Sequence, residues 1–342
     1  MPENLDSALE ALDLQILNAM QLDPRIPWNA VARVVGVDAA TVARRWARIE
    51  SEGRAWISLT EGPRRMPVAA FIEFSCEPGR VLEVADRVAV DDRVASLDLT
   101  AGRRDLLATL FARTEDALAD HVLSELGALP GVRSMQTHVL DRIMRIGSDW
   151  SLGTLSAEQR ARIPMPRPPR AGSAKRVDPA LADALVELLR RDGRASFAEL
   201  GAALGISAQR AADAVARLRR SGDVVLRVDV ALRQSNWPVA AWYFIQAPAE
   251  TVIGSSAALA DLDAVQVAAS VTGPYPLIVA AGATSRAEAL DFEAQLERRL
   301  PRARVADRSL ILRVRKHLGR ALDARGLARS ATAEQNGWTG PD

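Results

Sequence analysis

The sequence predicts an α+β chain in which one unit occurs twice: a winged or trihelical helix-turn-helix followed by a ferredoxin-like βαββαβ domain. Three observations predict it. "VGVDAATVARRWARIESEG" (residues 35–53) aligns without a gap with "LGISAQRAADAVARLRRSG" (204–222) at an offset of 169 residues. "MPVAAFIEF" (66–74) aligns with "WPVAAWYFI" (237–245) at an offset of 171. Within each repeat, apolar residues first recur at helical spacing and then alternate with a period of two.

Each half opens on a helix with one apolar stripe, carried by Leu12, Ile16, Leu17 and Met20, or by Leu181, Leu185, Leu188 and Leu189. A short second helix follows the turn at Pro24 or Gly193. Gly36 or Gly205 then marks a tight turn, and Asp38 or Ser207 is placed to cap a third helix that ends at Gly53 or Gly222. Beyond it the first half reads as strand "VAAFIEFS", helix "PGRVLEVADRVAV", strands "VASLDLTAG" and "DLLATLFAR", helix "TEDALADHVLSELGALP" and strand "RSMQTHVLDRIMR". The second half repeats that order. One face of such a sheet is covered by its own helices, and the other is expected to pack on the sheet of the sister half, forming a pseudo-dimer within the chain. The expected domains are a helix-turn-helix at 1–60, a sensor and oligomerisation domain at 66–146, a linker at 147–176, a second helix-turn-helix at 177–230, a second sensor domain at 237–317 and a flexible tail at 318–342. The linker expectation rests on "IPMPRPPRAGSAKR", which combines four prolines and four basic residues with no acid.

Composition sets limits without choosing a partner. The 342 residues are 48% hydrophobic and 25% charged with a net charge of +1, so affinity for a polyanion must come from local patches. The single cysteine, Cys76, excludes an internal disulfide and a multi-cysteine metal site, and reads as a small half-buried strand residue. The N-terminal residues lack a basic segment followed by an apolar run, and no window approaches a membrane span. A cytoplasmic protein with no membrane partner is expected.

On the third helix, Val42, Trp46 and Ile49 fall on one side, while Thr41, Arg44, Arg45 and Arg48 gather on another. Two readings compete for the basic face: contact with DNA, or a solvated surface with arginines paired to Glu50 or Glu52.

The stretch from Ala11 to Trp56 resembles the helix-turn-helix of the Lrp/AsnC family of transcriptional regulators, through Leu12, Asp13, Ile16, Leu17, Arg25, Gly36, the Arg45–Ile49 segment and Gly53. The βαββαβ unit after it looks like the family's effector-binding and oligomerising domain. The resemblance implies double-stranded DNA as a partner, a small-molecule effector such as an amino acid or related metabolite, and a homo-oligomer; it implies no cofactor or metal. In the first half it places DNA contacts at Thr41, Arg44, Arg45 and Arg48. In the second, the corresponding candidates are Ser207, Gln209, Arg210 and Arg217, with Asp213 where Arg44 stands and Ala214 where Arg45 stands. Either the two units read unlike half-sites, or the second binds weakly. The family's Gly-x-x-Asp turn matches Gly102 and Asp105, after Thr100; the second half keeps Thr272 and Gly273 but has Pro276 in place of the acid.

Two other functions compete with this one. A ligand sensor or assembly protein with weak DNA binding is permitted by Asp213. Haem-pathway decarboxylases share the two-domain look and work through paired histidines, but the counterpart of His138 is Ser309. His121 reads as a surface-helix residue and His138 as a satisfied strand residue. Neither stands with a nearby Cys, Asp or His at metal-ligand spacing, and the sequence has no Gly-rich phosphate loop or Gly-x-Ser-x-Gly elbow, so the chain is expected not to be an enzyme.

Overall fold

The computed structural model describes residues 9–62, 64–147, 150–170 and 176–329. The first half runs α1 (Ala11–Leu22), α2 (Trp28–Val35), α3 (Ala39–Ser51), β1 (Ala55–Glu61), β2 (Val68–Cys76), α4 (Val81–Ala89), β3 (Val94–Ala101), β4 (Leu106–Ala112), α5 (Glu115–Asp120) and β5 (Val132–Arg145). After a short α6 (Ala157–Ala161), the order recurs as α7 (Pro179–Arg191), α8 (Phe197–Leu204), α9 (Ala208–Ser221), β6 (Val224–Val230), β7 (Val239–Gln246), α10 (Ala249–Ala260), β8 (Val265–Val271), β9 (Leu277–Ala283), α11 (Arg286–Arg299) and β10 (Arg304–His317), with a two-residue β11 (Arg320–Ala321). These elements form two compact units, one holding both helix-turn-helix segments and the other all the remaining strands.

In the helical unit, local chemistry fixes both third helices. Asp38 and Ser207 cap them by accepting from the N–H groups of Thr41 and Arg210, and Gly36 and Gly205 end the preceding helices at φ of 78° and 65°. The two segments are joined by an antiparallel pair, β1 with β6, in register from Ala55 opposite Val230 to Glu61 opposite Val224. α1 packs on β6 and α7 on β1, so each segment covers the other's strand. Two arginines close the arrangement reciprocally. Arg25 donates to the carbonyls of Gly193 and Ala195 and lies over the Phe197 ring; Arg194 donates to those of Pro24 and Ile26 and lies over Trp28. Burial, then the neighbouring Arg25, pushes Arg194 down to about 10. The pattern is that of a symmetric dimer interface within one chain.

The second unit is a nine-stranded sheet in the order β11-β10-β3-β4-β2-β5-β8-β9-β7, with β10 also paired to β7. That last pairing closes the sheet. The two halves therefore do not stack as separate sheets; β5 pairs with β8 and β3 with β10, and the uncovered faces become the inside of one barrel. Closure buries strand edges that two open sheets would leave exposed. Along β2, Phe71 belongs to the interior cluster with Trp242, Phe244 and Ile278, while Ile72 and Phe74 belong to the outer cluster with Val84 and Val88 of α4. The other outer cluster joins Tyr243 and Ile245 of β7 to Val252 of α10 and Phe292 of α11.

Inside the barrel, Trp242 donates its indole N–H to Asp98 at 2.8 Å, and burial pushes the Asp98 carboxyl up to about 6. Its folded affinity for a proton exceeds the unfolded one. The associated stability is complete below the ordinary carboxylate range and is lost as pH rises through about 6. Asp98→Asn keeps an acceptor for Trp242 and cannot ionise. It is expected to raise the melting temperature at pH 8 by about 5 °C, corresponding to roughly 2 kcal/mol. No gain is expected at pH 4, and thermal melts across that range check it.

Three expectations need correction. The 147–176 linker is partly built: Trp150, Leu152 and Leu155 are buried, and Leu152 and Leu155 donate backbone N–H groups to Gln21 and Asn18 of α1. The apolar residues preceding the proline run make this possible, and α6 carries its own capping box at Ser156 and Gln159. The tail expected from 318 onward is ordered through 329, with Leu322 and Leu327 buried and the Ala328 N–H donating to the Gly53 carbonyl; residues 330–342 lie outside the described residues. Cys76 is fully rather than half buried, and burial raises its thiol to about 11.

Candidate nucleic-acid interface and effector site

The basic face of α3 divides into two parts. Arg45 pairs with Glu10 and Asp13 at 2.8 Å each, and Arg48 with Asp13 at 2.7 Å. Asp13 is 1% exposed, so these arginines neutralise a buried carboxylate on α1 and tie it to α3. Their partners are Glu10 and Asp13, where the sequence suggested Glu50 or Glu52. The repeat carries an independent argument. At the offset of 169, Arg45 and Asp13 become Ala214 and Ala182, both buried, so the pair is lost together. Arg45 is held against α1 by Glu10 and Asp13. Arg44 is exposed beside Thr41, whose hydroxyl donates to Asp38 at 2.7 Å and accepts from Arg44 at 3.3 Å.

On α9, Ser207 is occupied as the cap of Arg210, and Gln209 donates to Asp213 at 3.2 Å. Arg210 is exposed and Arg217 half-buried. Asp213 does not stand bare: the backbone N–H and Nε of Arg170 both donate to its carboxylate at 3.1 Å. Its proton affinity is held below the usual carboxylate range, first by that backbone N–H.

In the barrel unit, the structure brings the two expected effector turns together. Arg103, from the turn between β3 and β4, donates to the hydroxyl of Tyr275, from the turn between β8 and β9, at 3.1 Å. Gly102 and Gly273 both take positive φ, 116° and 115°, and each lies against a strand residue of the opposite half. A Cβ on Gly102 would stand 3.3 Å from Ser309 Oγ, and one on Gly273 3.0 Å from His138 Nδ1. Thr100 and Asp105 shape the first turn from within: the Thr100 hydroxyl donates to the Arg104 carbonyl, and the Asp105 carboxylate accepts the Cys76 N–H at 2.7 Å. Thr272 forms two bonds with Val139, accepting its N–H and donating its own to its carbonyl.

Beneath the turns lies a charged cluster that sequence reasoning missed. Arg104 is fully buried, contacts Glu73 at 2.9 Å and Asp307 at 2.7 Å, donates to Ser309, and lies 3.5 Å from the Phe244 ring centre. His138 meets Glu73 at 2.9 Å through Nε2 and the Thr272 carbonyl at 3.1 Å through Nδ1. Both partners offer acceptor oxygens to the ring. Burial favours the neutral form of Glu73, but the bonds from His138 and Arg104 override it and hold the carboxyl below its usual range.

An AsnC-type helix-turn-helix model matches residues 9–50 and 183–219, and a Lrp/AsnC ligand-binding-domain model matches 69–145. The chain belongs to the Lrp/AsnC family. Among its Lrp/AsnC-type relatives, an uncharacterised HTH-type transcriptional regulator of Pyrococcus furiosus is 28% identical over 142 residues, 41% of this chain and 96% of the relative. The transcriptional regulator LrpA of Pyrococcus abyssi is 24% identical over 35% of this chain and 87% of its own. The family member described here is thus about twice the length of these relatives. Over 90% of its length it shares a fold with the siroheme decarboxylase NirDL, covering 93% of that chain at a TM-score of 0.55 and 17% identity.

Two further features complete this Lrp/AsnC chain. A cleft of about 290 Å³ beside the second turn is lined by Asp141, Arg142, Met144, Val252, Ile253 and Pro276, among others. Asp91, His121 and Glu125 also converge, and His121 is buried, not the surface residue that the sequence suggested. Its Nε2 lies 2.9 Å from Asp91 and its Nδ1 3.4 Å from Glu125, while Arg93 reaches Glu125 at 2.6 Å. The two acids address opposite ring nitrogens, and a guanidinium already pairs with one of them.

Proposed function

We propose that this chain is a cytoplasmic, sequence-specific DNA-binding transcriptional regulator whose affinity for DNA responds to an amino acid or related small molecule. The observation that carries the reading is α3: a capped third helix in a helix-turn-helix that presents Thr41 and Arg44 outward while Arg45 and Arg48 anchor it to α1. Arg44 suits phosphate or guanine equally. Arg45 is assigned to positioning rather than to DNA.

The proposed effector region is the pair of facing turns, Thr100–Asp105 and Thr272–Pro276, with the adjoining cleft. The cleft offers a carboxylate, a guanidinium and an apolar wall, the groups that would hold the ammonium, carboxylate and side chain of an amino acid. Linkage makes the test reciprocal: an effector that alters DNA affinity is itself bound differently in the presence of DNA. Fluorescence anisotropy with DNA from upstream of the protein's own coding region, against a scrambled duplex at two salt concentrations, is expected to show a preference for the former. Individual amino acids added to that complex are expected to change its affinity about 5- to 100-fold when they are effectors. Equal binding to both duplexes, with no amino acid raising the melting temperature, would overturn the reading.

A second reading, a haem-pathway decarboxylase, is favoured by the full-length likeness to NirDL, which at 17% identity concerns the fold alone. Against it, both nitrogens of His138 are occupied and its counterpart is Ser309. Conversion of sirohaem to a decarboxylated product would establish it.

A further inference from the structure

The second helix-turn-helix carries an acid, Asp213, at the position equivalent to Arg44, which would repel phosphate on a DNA-facing helix. The structure gives that acid a specific occupant. The carboxylate receives three donors: Arg170 through its backbone N–H and its Nε, both at 3.1 Å, and Gln209 at 3.2 Å. The Asp213 side chain is 13% exposed and that of Arg170 56% exposed, so the carboxylate is covered and the guanidinium faces outward. What α9 offers at this point is an arginine.

The approach of the chain suits that role. Residues 164–170 read Pro-Met-Pro-Arg-Pro-Pro-Arg, and Pro169 is buried. Prolines restrict the arm and lower the entropy lost when it is held. Pro168 and Pro169 have no N–H, so the first backbone donor after them belongs to Arg170, and it is spent on Asp213.

We propose that Arg170 is a DNA-contact residue of the second helix-turn-helix, supplied by the arm between the halves and seated by Asp213 at the place that Arg44 fills in the first. Asp213 is then a positioning residue, and the second unit reads DNA through Arg170 and Arg210. The inference rests on the DNA-binding reading above, and its test separates the two.

The experiment uses the full chain and a duplex carrying its preferred site, with anisotropy measured over a range of salt. Arg170→Ala is expected to weaken binding about tenfold and to reduce the salt slope by about one. The informative variant is Asp213→Asn. Removing a negative charge from a DNA-facing helix would ordinarily tighten binding, whereas loss of the seat for Arg170 is expected to weaken it about fivefold. The double variant is expected to bind no more weakly than Arg170→Ala. Tighter or unchanged binding by Asp213→Asn, or unchanged binding by Arg170→Ala, would overturn the proposal. If Arg44→Ala weakens binding while Arg170→Ala does not, this inference alone falls; if the wild-type chain shows no preference among duplexes, both fall.

Discussion

Arg104→Ala is expected to destabilise the barrel unit by about 3–5 kcal/mol, the range found when one partner of a buried ion cluster is removed. The guanidinium answers Glu73, Asp307 and Ser309 and lies against Phe244, all within the closed sheet. Its removal takes the guanidinium from two carboxylates and opens space beside an aromatic ring. A drop in melting temperature of about 10 °C, read by calorimetry, is the expected result. Arg104→Met in a chain also carrying Glu73→Gln and Asp307→Asn is expected to recover much of the loss, because the penalty lies in the uncompensated charges. No recovery, with a loss equal to that of a simple apolar truncation, would show that the cluster contributes by packing alone.

Arg44→Ala and Arg45→Ala are expected to fail in different ways. Arg45→Ala strips a partner from Asp13, which is 1% exposed, and is expected to cost about 1–3 kcal/mol of stability in the helical unit. Adding Asp13→Ala reproduces the Ala182 and Ala214 combination of the second half and is expected to restore part of it. Arg44→Ala leaves stability within about 0.5 kcal/mol and weakens specific DNA binding tenfold or more. Paired melts and anisotropy titrations distinguish them. A DNA defect in Arg45→Ala that persists after stability is restored would return Arg45 to the DNA-facing set.

The repeat, the order of elements and the capping residues were legible in the sequence because they rest on local chemistry: a glycine at positive φ, a side-chain oxygen three residues before a bonded N–H, and periods of 3.6 and 2. The closed barrel was not legible. Phe71 and Trp242 read as an uncovered face, and periodicity says which side of a strand is apolar without saying whether sheets stack or join at their edges. Arg104 was passed over because a charged residue within "TAGRRDLL" reads as surface, and its partners are 31 residues earlier and about 200 later in the chain. The role of Arg45 did leave a trace in the sequence. The joint change of Asp13 and Arg45 to Ala182 and Ala214 marks a pair, visible once the halves are aligned residue by residue.

The reciprocal grip of Arg25 and Arg194, together with the β1–β6 pair, bears on how the protein would respond to its own abundance. A regulator assembled from separate subunits gains its second reading head only as copies accumulate, so occupancy of its site rises steeply with dosage. Here both heads are translated together and held at a fixed local concentration that dilution cannot lower. A single chain therefore carries two helix-turn-helix segments to any site without first meeting a second copy. Each half is also free to diverge without obliging its partner to change in the same way, as the contrast between Arg44 and Asp213 illustrates.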